Sequence, residues 1–333
     1  MPGQIPDVSD SPPSEVEFLH QIDPTQLNRF GGKAVNLATL HQIGVLIPRG
    51  FTISTQGYNQ FQSTFCDLKS YQALHSDLDD IEVLLHSIED FHKQARDYEI
   101  PEKLTLEIQS RFEQLLYSQE PLKTGYAVRS SATVEDTVQF SFAGQADSFL
   151  CVKDLSGVLE AVKKTWLSLY SIRSLLYMKS KGINLQSVSM AVIVQEMILG
   201  EISGVVFTAN VVSKDLTQVL IDSTWGLGES IVAGKVIPDS YVVQKTPLKI
   251  MQRRLGEKAL LCIPHPQEDS ERTMLIDTPA EQREVFTLSD GDIMRLAKLA
   301  MYIENQMGHP QDIEWTLKDG QFVILQTRPI TTL

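Results

Sequence analysis

Apolar positions recur along this chain with two different periods, and the change of period divides it. Leu74, Leu78, Ile81, Leu84, Leu85, Ile88 and Phe91 fall at steps of three and four, which predicts an amphipathic helix. A second such stripe, Leu104, Ile108, Phe112, Leu115 and Leu116, opens at Pro101, a residue suited to a first helical turn. Asp154 is placed to cap a third, with Leu155, Val158, Leu159, Val162, Trp166, Leu169 and Tyr170 inside and Gly182 at its end. Trp166 and Tyr170 read as core. Beyond Gly182 the pattern turns to strands: Met190 to Ile198, Ser203 to Ala209, Gln218 to Asp222 and Tyr241 to Val243. Residues 253–287 are polar, with Pro264, Pro266 and Pro279, and read as a hairpin plus an irregular loop. Ser289 caps a helix carrying Ile293, Leu296, Leu299, Ala300 and Ile303, ended by Gly308 and Pro310. A closing hairpin pairs Ile313–Leu317 with Gln321–Gln326 across Lys318-Asp319-Gly320. The expectation is a helix-rich first half and a β-rich second half, with the boundary near residues 183–188.

Composition narrows the partners. The 29 basic and 42 acidic residues leave a formal net charge of −13, which argues against nucleic acid or an anionic membrane held by bulk electrostatics. A local basic pocket for a phosphorylated ligand remains open. The three cysteines, Cys66, Cys151 and Cys262, lack metal-ligand spacing and fit a reducing, cytoplasmic setting. No apolar run approaches ~18 residues, so no membrane helix is expected. Residues 1–15 are rich in Pro, Ser and Asp and read as a mobile tail.

Three stretches carry candidate chemistry. Gly31-Gly32-Lys33 precedes the helical run Ala34 to Leu40, which Gly44 ends; glycines let backbone approach an anion, the helix start favours it, and the lysine adds charge. The same triplet also reads as a plain turn with a solvated lysine. Tyr126-Ala127-Val128 leads into Arg129-Ser130-Ser131, then Glu135, Asp136 and Phe140 to Gln145, a composition suited to cradling polyphosphate or, equally, to an arginine with a structural acidic partner. Asp312-Ile313-Glu314-Trp315 and Gln326-Thr327-Arg328-Pro329 put carboxylates, an amide and a guanidinium on neighbouring strands. Asp312 reads as a brace for the hairpin and Trp315 as core. Glu229 is open between a ligand role and a pairing with Lys33 or Lys235, and Ser130 and Ser131 between phosphate donors and turn residues.

Taken in order, these blocks resemble the nucleotide-binding domain of the phosphoenolpyruvate synthase and pyruvate phosphate dikinase family, shared with rifampicin phosphotransferase and the starch water dikinases. The resemblance runs through Gly31 to Leu37, Val128 to Asp136, Ser141 to Gln145, Val194 to Met197, Ser203 to Thr208, Gly226 to Glu229, Pro238-Asp239 and the closing hairpin. It implies an α+β, two-lobed ATP-grasp fold, with residues 16–187 as the N-terminal lobe and 188–333 as the C-terminal lobe. It implies that Lys33 and Arg129 hold the polyphosphate of ATP under a lid around Ser141 and Gly144. It implies that the backbone of Gln195, Glu196 and Met197 reads adenine, that Glu201 reaches the ribose, and that Glu314 and Gln326 ligate Mg2+. Arg328 would neutralise the transferring phosphoryl group, so that Lys33, Arg129 and Arg328 are the expected catalytic groups. None of the seven histidines stands in the family's phosphohistidine setting, so the expected acceptor is a histidine on a separate domain or subunit. A non-catalytic ATP-binding regulatory module and the nucleotide domain of an antibiotic phosphotransferase are the alternatives. A carboxylate–amine ligase shares only the fold.

Overall fold

The computed structural model describes residues 14–76, 80–117, 124–133, 148–265 and 273–331. In chain order the elements are β1 (Val16–Phe18), α1 (Leu27–Gln42), β2 (Gly50–Ile53), α2 (Thr55–Gln62), α3 (Lys69–Ser76), α4 (Ile81–Ala95), α5 (Glu102–Tyr117), β3 (Tyr126–Ala132), β4 (Ser148–Val152), α6 (Leu155–Leu167), α7 (Ile172–Ser180) and β5 (Met190–Glu196). There follow β6 (Ile202–Phe207), β7 (Gln218–Trp225), α8 (Glu229–Val232), β8 (Asp239–Gln244), β9 (Lys249–Arg254), β10 (Leu260–Pro264), β11 (Thr273–Asp277), α9 (Ala280–Arg283), α10 (Asp290–Met307), β12 (Gln311–Lys318) and β13 (Gln321–Pro329). The strands form a five-stranded sheet ordered β1-β2-β5-β3-β4, a six-stranded sheet ordered β13-β12-β6-β7-β8-β9, and the separate hairpin β10-β11. The α+β, two-lobed architecture expected from the sequence is present.

Three expectations about boundaries differ from the structure; one is the helical stretch from Asp154 to Gly182, which breaks where α6 ends at Leu167 and the Ser171 side chain, accepting from Ser174 N–H, caps α7. Met190–Glu196, expected to open the second lobe, is the central strand of the first sheet, paired antiparallel with both β2 and β3. The change of sheet therefore falls after Glu196, not at 187/188. The apolar run could not reveal this, because a strand buried on both faces reads alike in either sheet. The stripe from Leu74 to Phe91 is two helices rather than one. Asp80 caps the second, its side chain accepting from Glu82 and Val83 N–H at 3.0 and 3.2 Å, and a cap of this kind starts a helix afresh. Leu78 lies outside the described residues.

Each sheet has its own core. Against the first, α2, α4, α5, α6 and α7 bury Phe61, Phe91, Ile108, Trp166 and Leu175. Trp166 and Tyr170 are fully buried as expected; the indole stacks on Phe61 at 5.3 Å and donates to the Met190 carbonyl at 3.0 Å. Against the second sheet pack α10 and, from the far end of the chain, α1: Phe30, Leu37 and Leu40 share a core with Leu296, Ile303, Ile313, Trp315 and Ile324. Ser289 and Asp292 close a capping box at the start of α10, and Gly308 ends it at φ 77°.

One buried charge organises the second lobe. Asp239 and Lys258 are wholly shielded and 2.5 Å apart. The Asp239 carboxylate also accepts from Gly256 N–H at 2.8 Å and from Thr287 N–H and hydroxyl at 2.8 and 3.0 Å, tying β8 to the segments before β10 and α10. Breaking such a pair strands a charge away from water. Lys258→Met is expected to cost about 3–5 kcal/mol, read as a lowered urea midpoint; an unchanged midpoint would contradict the role given to this pair.

Candidate functional site

Helix α1 places Lys33 by touching both sheets. The helix is broken at Gly31, which adopts φ 71° and ψ 168°. A Cβ there would lie 2.1 Å from the Ser131 carbonyl of β3, so only glycine permits the contact. The Ser131 hydroxyl donates to the Phe30 carbonyl at 2.7 Å and accepts from Ala34 N–H at 3.2 Å. Ser131 is thus a structural clasp, not a phosphate donor, and the helical turn it holds carries Lys33 toward β12. The Lys33 charge acts on Glu314.

The opposite wall is the hairpin β12-β13. Asp312 faces Arg328 and Glu314 faces Gln326 across the ladder. Alternation along each strand sets all four on one face. The register slips between Glu314 and Trp315, leaving Leu325 as the extra residue on β13. Arg129 reaches across from β3 to both features: it donates to Glu314 Oε2 at 2.8 Å and to the Leu325 carbonyl at 3.3 Å. Arg328 donates twice to Asp312 Oδ2, at 2.9 and 2.7 Å, so Asp312 braces the hairpin as expected. Burial pushes the Glu314 carboxyl up, but Arg129, Lys33 and Arg328 together outweigh it and hold the group below the usual carboxylate range. For Asp312 the balance reverses: burial outweighs Arg328 and raises its carboxyl.

A cavity of about 270 Å³ runs between the sheets. Its lining joins Arg129, Glu314 and Leu325 to Gln195, Glu196, Met197 and Ile198. The groups predicted from sequence divide accordingly. Lys33, Arg129, Glu314, Gln326 and Arg328 are brought together by α1, β3 and the closing hairpin. Gln195, Glu196 and Met197 line the cavity. Met197 N–H donates to the Gly125 carbonyl at 3.0 Å, and its own carbonyl accepts from Thr124 Oγ1 at 3.0 Å, so its backbone is already engaged within the first lobe. Glu196 N–H donates to the Arg49 carbonyl and its carboxylate is held by the Arg49 guanidinium. The side chain of Gln195, by contrast, is buried with Oε1 making no hydrogen bond among the described residues. Glu201 is exposed at the start of β6 and is not among the cavity-lining residues. Ser141 and Gly144 lie outside the described residues.

Two residues at the site, one lining the cavity and one behind it, carried no signal strong enough to be found in the sequence. Ser148 on β4 faces Arg129 in register and lines the cavity. It stands as an ordinary small residue before an apolar strand. Arg49, which fixes Glu196, sits in a loop before β2 with no motif around it. Glu229 also lines the cavity, but it pairs with neither Lys33 nor Lys235 directly. It accepts from Thr273 Oγ1 at 2.8 Å and from the Cys262 thiol at 3.7 Å. Burial, then the charge of Glu229, pushes that thiol up to about 12. Trp315, fully buried as expected, forms part of the cavity wall, and its indole N–H makes no hydrogen bond among the described residues.

Magnesium takes oxygen ligands and keeps several from water and phosphate. Glu314 and Gln326 meet that requirement: a carboxylate and an amide oxygen, neighbours on one face, with the Gln326 amide holding no hydrogen bond among the described residues. No cluster of three or more His, Cys, Asp or Glu forms a metal cage among the described residues, and an ion of this kind does not require one.

With this geometry in view, the class can be stated. The chain belongs to the family described as the AMP/ATP-binding domain of pyruvate phosphate dikinase, which matches residues 27–333. Among curated proteins it is 36% identical over 323 residues to a probable phosphoenolpyruvate synthase of Archaeoglobus fulgidus, covering 96% of this chain and 42% of that one. It is 32% identical over 320 residues to that of Methanocaldococcus jannaschii, covering 27% of the latter. It is 35% identical over 320 residues to rifampicin phosphotransferase of Bacillus subtilis, covering 95% of this chain and 36% of that one. The chain therefore spans less than half the length of these relatives.

The sign of the Glu314 shift makes a pH prediction. A carboxyl whose folded pKa is depressed adds stability above its unfolded value, near ~4.3, and loses it as pH falls through the folded value. Glu314→Gln should lower stability by about 1–3 kcal/mol at pH 7. Melting temperatures of the two proteins should converge as the pH falls below ~4; a difference independent of pH would contradict the ion pair.

Proposed function

We propose that this chain binds Mg-ATP in the cavity between its sheets and serves as the nucleotide domain of a phosphotransferase. Phosphate would pass from ATP to a histidine on a separate domain or subunit. The observation that carries this is the convergence of Lys33, Arg129 and Arg328 around the Glu314–Gln326 pair, beside a cavity with a buried amide oxygen that makes no hydrogen bond among the described residues. Membership of an ATP-binding family supports the ligand; phosphoenolpyruvate synthases and rifampicin phosphotransferases among the relatives support the reaction class.

Each group then has a task. Lys33 and Arg129 hold the polyphosphate, Arg129 exchanging Glu314 for phosphate oxygens. Ser148, opposite Arg129, adds a hydroxyl donor. Gln195 Oε1 accepts from the adenine amino group, and the backbone just past Met197, at Ile198, reads the ring edge. Glu201 stands toward the ribose side of the cleft. Glu314 and Gln326 hold Mg2+, which supplies charge neutralisation at the phosphates when bound. Arg328 stabilises charge on the phosphoryl group in flight. In a loose transition state such positioning and neutralisation provide most of the catalysis.

A second reading, the nucleotide domain of an antibiotic phosphotransferase, is favoured by the 35% identity to rifampicin phosphotransferase. The two differ in the final acceptor, not in the nucleotide site.

Titration calorimetry with Mg and a non-hydrolysable ATP analogue tests the reading. Lys33→Ala and Arg129→Ala should each weaken binding about 10- to 100-fold, the loss of a charge-assisted contact. Gln195→Leu should weaken ATP binding about 10-fold or more, because it removes the only acceptor assigned to the adenine amine. It should also narrow the preference for ATP over GTP. Wild-type protein that binds no nucleotide overturns the proposal. With a partner histidine domain supplied, label from the β-phosphate of ATP should appear on that partner.

A further inference from the structure

Asn36 stands one helical turn beyond Lys33 on α1, so the two side chains share a face. Its Nδ2 donates to the backbone carbonyl of Thr327 at 3.0 Å. That carbonyl lies between Gln326 and Arg328, on β13, the strand at the open edge of the second sheet. β13 is fixed without Asn36. It pairs with β12 from Gln321 to Pro329, and the Thr327 hydroxyl donates to Gln311 Oε1 at 2.7 Å. The chain after α1 meets the same edge again, where Ile324 N–H donates to the Leu46 carbonyl at 2.9 Å. The helix is therefore the piece that needs seating. At its start the Ser131 clasp sets it on the first sheet, and one turn later Asn36 sets it on the second.

We propose that Asn36 is a positioning residue: it sets Lys33 at a fixed distance from the Gln326–Arg328 strand, across the space that the polyphosphate fills. This rests on the Mg-ATP reading above. Its chemistry is specific. The Thr327 carbonyl needs a donor, and the Asn36 amide supplies one from this turn. Asn36→Asp keeps the shape but turns an acceptor toward that carbonyl; Asn36→Ala removes the contact.

The test separates seating of Lys33 from loosening of the fold. Both variants should bind Mg with ADP or a non-hydrolysable ATP analogue about 10-fold more weakly than wild type. Both should bind AMP within twofold of wild type, because the α-phosphate and adenosine do not depend on Lys33. In a Lys33→Ala background, Asn36→Ala should add less than a twofold further loss. Equal losses for AMP and ADP, or a loss that multiplies fully with that of Lys33→Ala, would overturn the proposal, as would wild-type affinity for ADP in both variants. A wild-type protein that binds no nucleotide overturns the Mg-ATP reading itself, and this role with it; that outcome is distinct, since it appears before any variant is compared. Melting temperatures within a few degrees of wild type identify variants that remain folded, and Asn36→Asp serves if Asn36→Ala does not.

Discussion

Two sheets that share no strand can bring their charges together only if something fixes the distance between them, and in this protein helix α1 does so. Its break at Gly31 lets backbone touch backbone at Ser131 on the first sheet, while its apolar face is buried with Ile313, Trp315 and Ile324 of the second. A side chain at position 31 would push the helix off β3 and with it Lys33. The early residues of the chain thus belong physically to both halves. This is why a division of the molecule by sequence position, first half against second half, describes it less well than a division by sheet with α1 across the join.

Across that fixed gap the charges pair between elements. Arg129 rests on Glu314 and Arg328 on Asp312, with Lys33 acting on Glu314 from the helix. Among the described residues, Lys33, Arg129 and Arg328 thus gather around Glu314 and Asp312. Such a site favours an anion that can draw the arginines off, and a cation that can take over the carboxylate they leave. Metal and polyphosphate each relieve the cost the other would meet alone. These ion pairs join the groups that the proposed chemistry uses, and the bulge at Leu325 lies beside the Glu314–Gln326 pair that Arg129 reaches.

Much of this was legible in the sequence, and the unread part has definite causes. Period-three-and-four stripes gave α5, α6 and α10, and the Asp319-Gly320 turn gave the closing hairpin, because these features are set by local pattern. The convergence of Lys33, Arg129, Glu314, Gln326 and Arg328 could not come from pattern, since they lie on α1, β3, β12 and β13; it came from resemblance. The sheet membership of Met190–Glu196 was missed because burial on both faces erases alternation. The engagement of the Met197 backbone within the first lobe has a tertiary cause. Thr124 and Gly125 fold back onto Met197, and no residue near position 197 announces it. Ser131 stood open between a phosphate donor and a turn residue, because a serine near an arginine suits either task. Only the position of the Phe30 carbonyl reveals that the hydroxyl is already engaged.

The central claim is that the charges on the two sheets exchange partners around a nucleotide and its metal. The most direct measurement is a crystal structure of the protein with Mg2+ and a non-hydrolysable ATP analogue. The account predicts Arg129 moved from Glu314 to phosphate oxygens, a metal ion on Glu314 and Gln326, and Gln195 Oε1 on the adenine amino group. A nucleotide bound elsewhere, or bound between the sheets with the Arg129–Glu314 pair intact and no metal on Glu314, would contradict it.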